Sequence, residues 1–291
     1  MSPDTLPDAI AAKIAGARGF IFDMDGTIAL GNAASGGHEA LPGAVDLLTA
    51  LRRRSIPFRV FTNGTARAPA TYARGLRAAG FDIADEEMMT PSTSAAIWLE
   101  RQGLTRVRVL GDPGVAEPLL ARGLEVIGPS QQADVDAVYT CWFRGFTFPD
   151  LEAACASVWA GARLTTASHV PFFATANGRG IGSSFAINQM IASLTGKRAK
   201  VLGKPSRTAF DVALAAMGLP RNAASDIIVV GDDPALEMAM ARKAGATGIG
   251  VTSGLMRPET ISSLPARFQP HAAIGRLQAI TRALLDQGVN S

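Results

Sequence analysis

The chain has 291 residues, 47% of them hydrophobic and 18% charged, a globular composition with enough apolar mass for two cores, which excludes a disordered polymer. A formal charge of +3 from dispersed Lys and Arg residues falls short of the basic face that holds a nucleic-acid backbone, so no nucleic-acid partner is expected. Cys141 and Cys155 are too few for a disulfide framework, no run of about 18 apolar residues offers a membrane span, and the N-terminal segment lacks an export pattern; the expectation is a cytoplasmic protein without a membrane partner.

Short β-type runs alternate with amphipathic segments, which predicts βαβ units and an α/β fold built on a Rossmann-like, doubly wound parallel sheet. The first strand runs from Gly19 to Phe22 and ends at Asp23. A loop-like stretch, Gly31 to Glu39, precedes a helix over Gly43–Arg54 with Val45, Leu48 and Leu51 on one face and Arg52 to Arg54 at its solvated end. Pro57 opens a second strand through Phe61, which closes on Thr62, Asn63 and Gly64. Residues 83–199 alternate on their own, with strands expected over Val107–Leu110, Glu125–Ile127, Ala137–Cys141 and Ala162–Thr166 and helices over Val115–Ala121 and Pro149–Ala160. This block reads as an α/β cap domain inserted into a core made of residues 1–82 and 200–291. Trp98, Trp142 and Trp159 read as core residues, and His38, His169 and His271 as structural or exposed. Gly178, Gly180 and Gly182 lack the context of a dinucleotide loop and read as a connector or hinge. A third core strand, Asp226–Val230, stops at Gly231, Asp232 and Asp233, and a helix over Ala235–Ala244 ends with Arg242 and Lys243 ahead of Gly245.

The strand ends carry the chemistry. Asp23, Met24, Asp25, Gly26 and Thr27 put two carboxylates at the carboxyl end of a parallel sheet, where α/β proteins bind ligands. A phosphate ester repels an anionic nucleophile. A divalent cation held by carboxylates neutralises that repulsion, and magnesium suits one or two carboxylates plus phosphate. Asp23 can then attack phosphorus to give an acyl phosphate that water hydrolyses, and Asp25 can protonate the leaving oxygen and later deprotonate the water. Thr62, Asn63 and Gly64 offer a hydroxyl, an amide and backbone N–H groups to an anion. Lys204, between Gly203 and Pro205, offers a point charge, and Asp232 with Asp233 can complete a metal site. Each feature alone is as readily a turn; the set, each member at an element boundary, is the signal.

On Phe22–Thr27, Leu41–Ala44, Thr62 with Asn63, Gly203–Pro205 and Val230–Asp232 the chain resembles the haloacid dehalogenase superfamily phosphatases. The similar subclass carries a large α/β cap and includes nucleotide, phosphoglycolate, pyridoxal-phosphate and 4-nitrophenyl phosphatases. The resemblance implies Mg2+ as cofactor, Asp23 as nucleophile and metal ligand, and Asp25 as acid/base and as a metal ligand through its backbone carbonyl. It further implies Thr62, Asn63 and Lys204 on the phosphate, Asp232 as the remaining metal carboxylate, and a small phosphorylated metabolite as substrate; homo-oligomerisation through the cap stays open. Three departures stand out. Gly64 occupies the place of a second Asn. Glu237 takes the place of a usual Asp, with Asp233 as an extra carboxylate, so either acid is a candidate to support Asp232. Thr166, Ala167 and Ser168 replace a Thr, Asn pair followed by Asp, and Thr166 to Pro171 with Arg144 are the expected leaving-group contacts. A dehalogenase is disfavoured by Asp25, which that pattern lacks; a phosphate-binding sensor with weak turnover is the alternative.

Overall fold

Phe20, Ile21 and Phe22 are at most 1% exposed, so the Gly19–Phe22 strand is covered on both faces, as a central parallel strand is. In the computed structural model, which describes residues 5–32, 37–175 and 178–286, this strand pairs in parallel with Ile227–Gly231 on one side and Phe58–Phe61 on the other. Among the described residues the sheet has six strands, in the order Ala272–Ile274, Thr247–Val251, Ile227–Gly231, Gly19–Phe22, Phe58–Phe61, Met88–Met89. The chain first builds outward from Gly19–Phe22 through Phe58–Phe61, then returns to its other side. The sheet is therefore doubly wound, and its switch point lies between Gly19–Phe22 and Ile227–Gly231. It belongs to the first of two units, residues 1–62, 70–89 and 210–291; the second comprises residues 63–69 and 90–209.

In the first unit, helix Ala44–Arg53 buries Ala44, Leu47, Leu48 and Leu51. That repeat centres the stripe on the Leu47–Leu48 pair and leaves Val45 at its margin, partly buried, rather than in the middle of the face. Arg52 and Arg54 are exposed but engaged: Arg52 pairs with Glu87 at 2.7 Å and Asp82 at 2.9 Å, and Arg54 donates to the Leu284 carbonyl. Of the stretch expected to be a loop before this helix, residues 33–36 lie outside the described residues and the rest is strand, with Ala29–Asn32 antiparallel to Gly37–Ala40; neither strand has a Val, Ile, Thr, Phe, Tyr or Trp to announce it. The helix expected over Ala235–Ala244 starts as a π-helical turn, Pro234–Met238, and turns α-helical only over Ala239–Ala244, closing on Gly245 at φ 76°. The wide turn lays Glu237 over Gly231, where an added Cβ would collide with it.

The second unit holds a five-stranded sheet, ordered Lys200–Val201, Arg163–Thr166, Ala137–Thr140, Arg106–Leu110, Glu125–Ile127, and every pairing is parallel. Ala137 and Tyr139 join one hydrophobic cluster and Val138 another, the period-two alternation of a strand buried on both faces. The helix expected over Val115–Ala121 is a 3-10 turn, Pro113–Val115, followed by a single α turn, Glu117–Leu120. The glycines read as a hinge form structure: Gly178–Ile181 pairs antiparallel with Phe172–Thr175, and Gly182 caps helix Ser183–Thr195. Trp159 is 65% exposed rather than buried. It falls on the 152–156–159 face of helix Phe148–Trp159, turned away from the core that Leu151, Ala154, Cys155 and Val158 fill. Trp98 is half-buried, with Arg163 and Lys200 5.8 and 5.2 Å from its ring centre. No helix among the described residues is long and apolar enough to cross a membrane.

Arg108 is a cation buried in this interior, at 2% exposure. Its Nε donates to Ser157 Oγ at 3.0 Å, and its terminal nitrogens donate to the carbonyls of Gly128, Pro129, Gln131 and Ala133 at 2.8–3.1 Å. Burial lowers its pKa from the usual arginine value. Arg108→Met keeps most of the stem but leaves those carbonyls without a donor, so it is expected to destabilise the protein by about 3 kcal/mol. Urea unfolding checks this; an unchanged midpoint would show that the 128–133 loop holds itself.

Candidate active site

The two strands at the switch point end side by side. Phe22 stands in register with Val230, the Asp23 N–H donates to the Val230 carbonyl at 2.9 Å, and Asp232 follows directly on Gly231. Asp23 is 8% and Asp232 5% exposed. Two carboxylates are thus held nearly dry on neighbouring strand ends, where each must be met by donors or by a cation. Thr27 donates its hydroxyl to Asp23 Oδ2 at 3.2 Å, and the Leu255 N–H donates to Asp232 Oδ2 at 2.7 Å. Beyond Asp23 the chain turns tightly, the N–H groups of Thr27, Ile28 and Ala29 converging on the Met24 carbonyl. Gly26 sits at φ 78° in this turn, and a Cβ there would lie 2.5 Å from Asp232 Oδ2; backbone and space both require glycine. Asp25 is exposed.

Thr62 closes the Phe58–Phe61 strand at 4% exposure. Asn63, Gly64 and Lys204 belong to the second unit, and there Asn63 and Lys204 are locked together. Asn63 Oδ1 accepts from the Lys204 N–H at 2.9 Å, and Asn63 Nδ2 donates to the Lys204 carbonyl at 3.0 Å. Lys204 is 1% exposed, which sets it apart from an ordinary solvated lysine. Gly203 leaves the room this lock needs, since a Cβ there would lie 2.8 Å from Asn63 Oδ1.

The two acids in question beside Asp232 each hold the π-helical turn. Asp233 Oδ1 accepts from the Ala235 N–H at 2.7 Å, and Glu237, 1% exposed, accepts from the Asp233 N–H through Oε2 at 3.1 Å. Sequence reasoning missed the segment after strand Thr247–Val251. Ser253 donates its hydroxyl to the Gly26 carbonyl at 2.7 Å, and Gly254 lies so close to the Asp232 carboxylate that a side chain there would displace it. The signal was available, because small residues following a buried strand are what marked residues 62–64. The histidines lie elsewhere: His271 Nδ1 accepts from the Gly248 N–H at 2.9 Å, and burial, then the charges of Arg242 and Lys13, lower its pKa; His169 is exposed against Phe185.

Among the described residues no three or more His, Cys, Asp or Glu side chains gather as a metal-binding group. The donors that fit a hard cation are the Asp23 and Asp232 carboxylates and the backbone oxygens of the turn between them. Magnesium accepts such a set, keeping its own waters and taking a phosphate oxygen.

Comparison with known proteins bears on the fold and the class of reaction. The haloacid dehalogenase-like hydrolase family matches residues 20–125, and a second, HAD-hydrolase-like family matches residues 201–280. Human chronophin is 27% identical over 290 residues, covering 93% of this chain and 94% of that protein. The 4-nitrophenylphosphatase of Thermotoga maritima superposes with a TM-score of 0.82 at 25% identity, over 94% of this chain and 99% of that one. The glycerol phosphate phosphatase of Mycobacterium tuberculosis, solved in complex with magnesium, superposes with a TM-score of 0.78 at 23% identity, over 92% of this chain and 77% of that one. The protein is therefore an enzyme of phosphate-monoester hydrolysis. Its fold is that of the haloacid dehalogenase superfamily phosphatases and closely resembles the 4-nitrophenyl phosphatases.

Proposed function

We propose that the protein is a magnesium-dependent phosphatase of small phosphorylated metabolites that works through an aspartyl phosphate on Asp23. The observation that carries this reading is the pair Asp23 and Asp232, nearly dry on adjacent strand ends with the Gly26 turn closed against Asp232. Magnesium, bound by the two carboxylates and the Asp25 carbonyl, would supply the positive charge that lets one anion approach another. Asp23 attacks phosphorus and the ester oxygen leaves. Asp25, whose exposure leaves it accessible, gives that oxygen its proton and then takes one from the water that hydrolyses the acyl phosphate. Thr62, Asn63, Gly64 and Lys204 hold the phosphoryl oxygens, the buried ammonium of Lys204 acting as a point charge. Asp233 and Glu237 keep Asp232 in place through the turn they brace. Residues 83–199 act as the cap on a core of residues 1–82 and 200–291, excluding water and bulky partners. The protein works in the cytoplasm, a reading that fits two buried, free cysteines.

The test is hydrolysis of 4-nitrophenyl phosphate by the purified protein. Turnover is expected with magnesium, is lost with chelator and returns when magnesium is restored. Turnover indifferent to chelator would remove the metal assignment, and phosphate binding with no turnover of any ester would favour a sensor.

A further inference from the structure

We propose that Arg144, lying over the Trp142 ring, binds an oxyanion on the leaving group, so that the favoured substrates are phosphate esters bearing a second anionic group, a carboxylate or another phosphoryl. The proposal rests on the phosphatase reading above. All the groups it uses belong to the second unit. The Arg144 guanidinium lies 5.6 Å from the centre of the Trp142 ring, and Phe173 meets that ring edge-on, with centroids 5.4 Å apart. A guanidinium lying over an aromatic face keeps its in-plane N–H groups for a two-pronged hold on a carboxylate or phosphate. Arg144 is exposed, and among the described residues no carboxylate pairs with it.

The loop that presents Arg144 is pinned just before it. The Trp142 N–H donates to Thr65 Oγ1 at 2.9 Å and the Phe143 N–H to Ser183 Oγ at 3.0 Å. Thr65 is 4% exposed and follows Asn63 by two residues, a stretch of chain that spans at most about 7 Å. The backbone that carries the ring beneath Arg144 is thus tied to the same short strap that carries Asn63, whose lock with Lys204 is assigned to the phosphoryl group. A cation presented from that loop selects for charge on the leaving group.

The experiment compares magnesium-dependent kcat/KM for 4-nitrophenyl phosphate and glycerol 3-phosphate, which lack a second oxyanion, with that for 3-phosphoglycerate and fructose 1,6-bisphosphate, which carry a carboxylate and a second phosphoryl. Wild type is expected to prefer one of the latter pair over glycerol 3-phosphate by about tenfold to a hundredfold, the weight of a charge-assisted hydrogen bond; which one identifies the oxyanion. Arg144→Gln should erase the preference through KM rather than kcat, Arg144→Glu should reverse it, and Arg144→Lys should restore part of it. No preference in wild type, or an order unchanged in the Gln and Glu variants, overturns the proposal. Turnover of 4-nitrophenyl phosphate without preference sinks this inference alone, whereas absence of all turnover sinks the phosphatase reading beneath it.

Discussion

On the proposed mechanism an Asp23→Asn variant is expected to fold like the parent and to hydrolyse phosphate esters at least on the order of ten-thousandfold more slowly, because the amide can neither attack phosphorus nor contribute a carboxylate to a metal. The change is isosteric, and the Thr27 hydroxyl can still donate to the side-chain oxygen it now meets at 3.2 Å. Asp232 lies on the adjacent strand end, and both side chains are nearly dry, so removing one of two like charges relieves repulsion in the metal-free protein. Thermal unfolding without metal is therefore expected at the same temperature as wild type or above it, while added magnesium stabilises the variant less. Wild-type turnover with an unchanged metal requirement would end the covalent role of Asp23. Asp25→Asn should differ in kind, still forming phosphoenzyme from 4-nitrophenyl phosphate, whose leaving group needs no proton.

A single methyl group should do nearly as much harm at Gly26. Alanine at φ 78° brings a left-handed penalty of about 1–2 kcal/mol, and its Cβ would stand 2.5 Å from Asp232 Oδ2, so the carboxylate must shift. A displacement near 1 Å at a reacting centre lowers rates on the order of a hundredfold. Gly26→Ala is therefore expected to lose about that much kcat/KM and to need more magnesium for half-maximal rate. A magnesium titration reads both. An unchanged curve would mean that Asp232 is not a metal ligand or that the turn does not hold it.

What the sequence disclosed depended on side-chain contrast. Gly19–Phe22 and Ile227–Gly231 are apolar throughout and are followed at once by acids, so their strand ends, and with them Asp23 and Asp232, could be read before any coordinates. The hairpin arms Ala29–Asn32 and Gly178–Ile181 each carry a single large apolar residue, Leu30 and Ile181, among small or polar ones, too few to leave a periodic trace. Trp159 misled because aromatic bulk was taken for burial, when the helix had already filled its inner face with Leu151, Ala154, Cys155 and Val158. The π-helical turn at Pro234–Met238 differs from an α-helix in hydrogen-bond spacing alone, which no residue type specifies. The reach of Ser253 and Gly254 to the first turn comes from long-range folding, and only the strand order places them there.

The chain visits its second unit twice, once as the short strap 63–69 and again as residues 90–209. The strap is woven in: Thr65 receives the Trp142 N–H, Asn63 clasps Lys204 across 141 positions of sequence, and the backbone at Arg67 and Ala68 packs so closely on Gly114 that a Cβ there would lie 2.7 Å from the Ala68 nitrogen. The second unit is consequently not a cassette. Transplanting residues 90–209 into a related scaffold as one continuous piece would leave the strap behind and replace each of these contacts with a mismatch, so a working chimera has to carry both segments from the same parent.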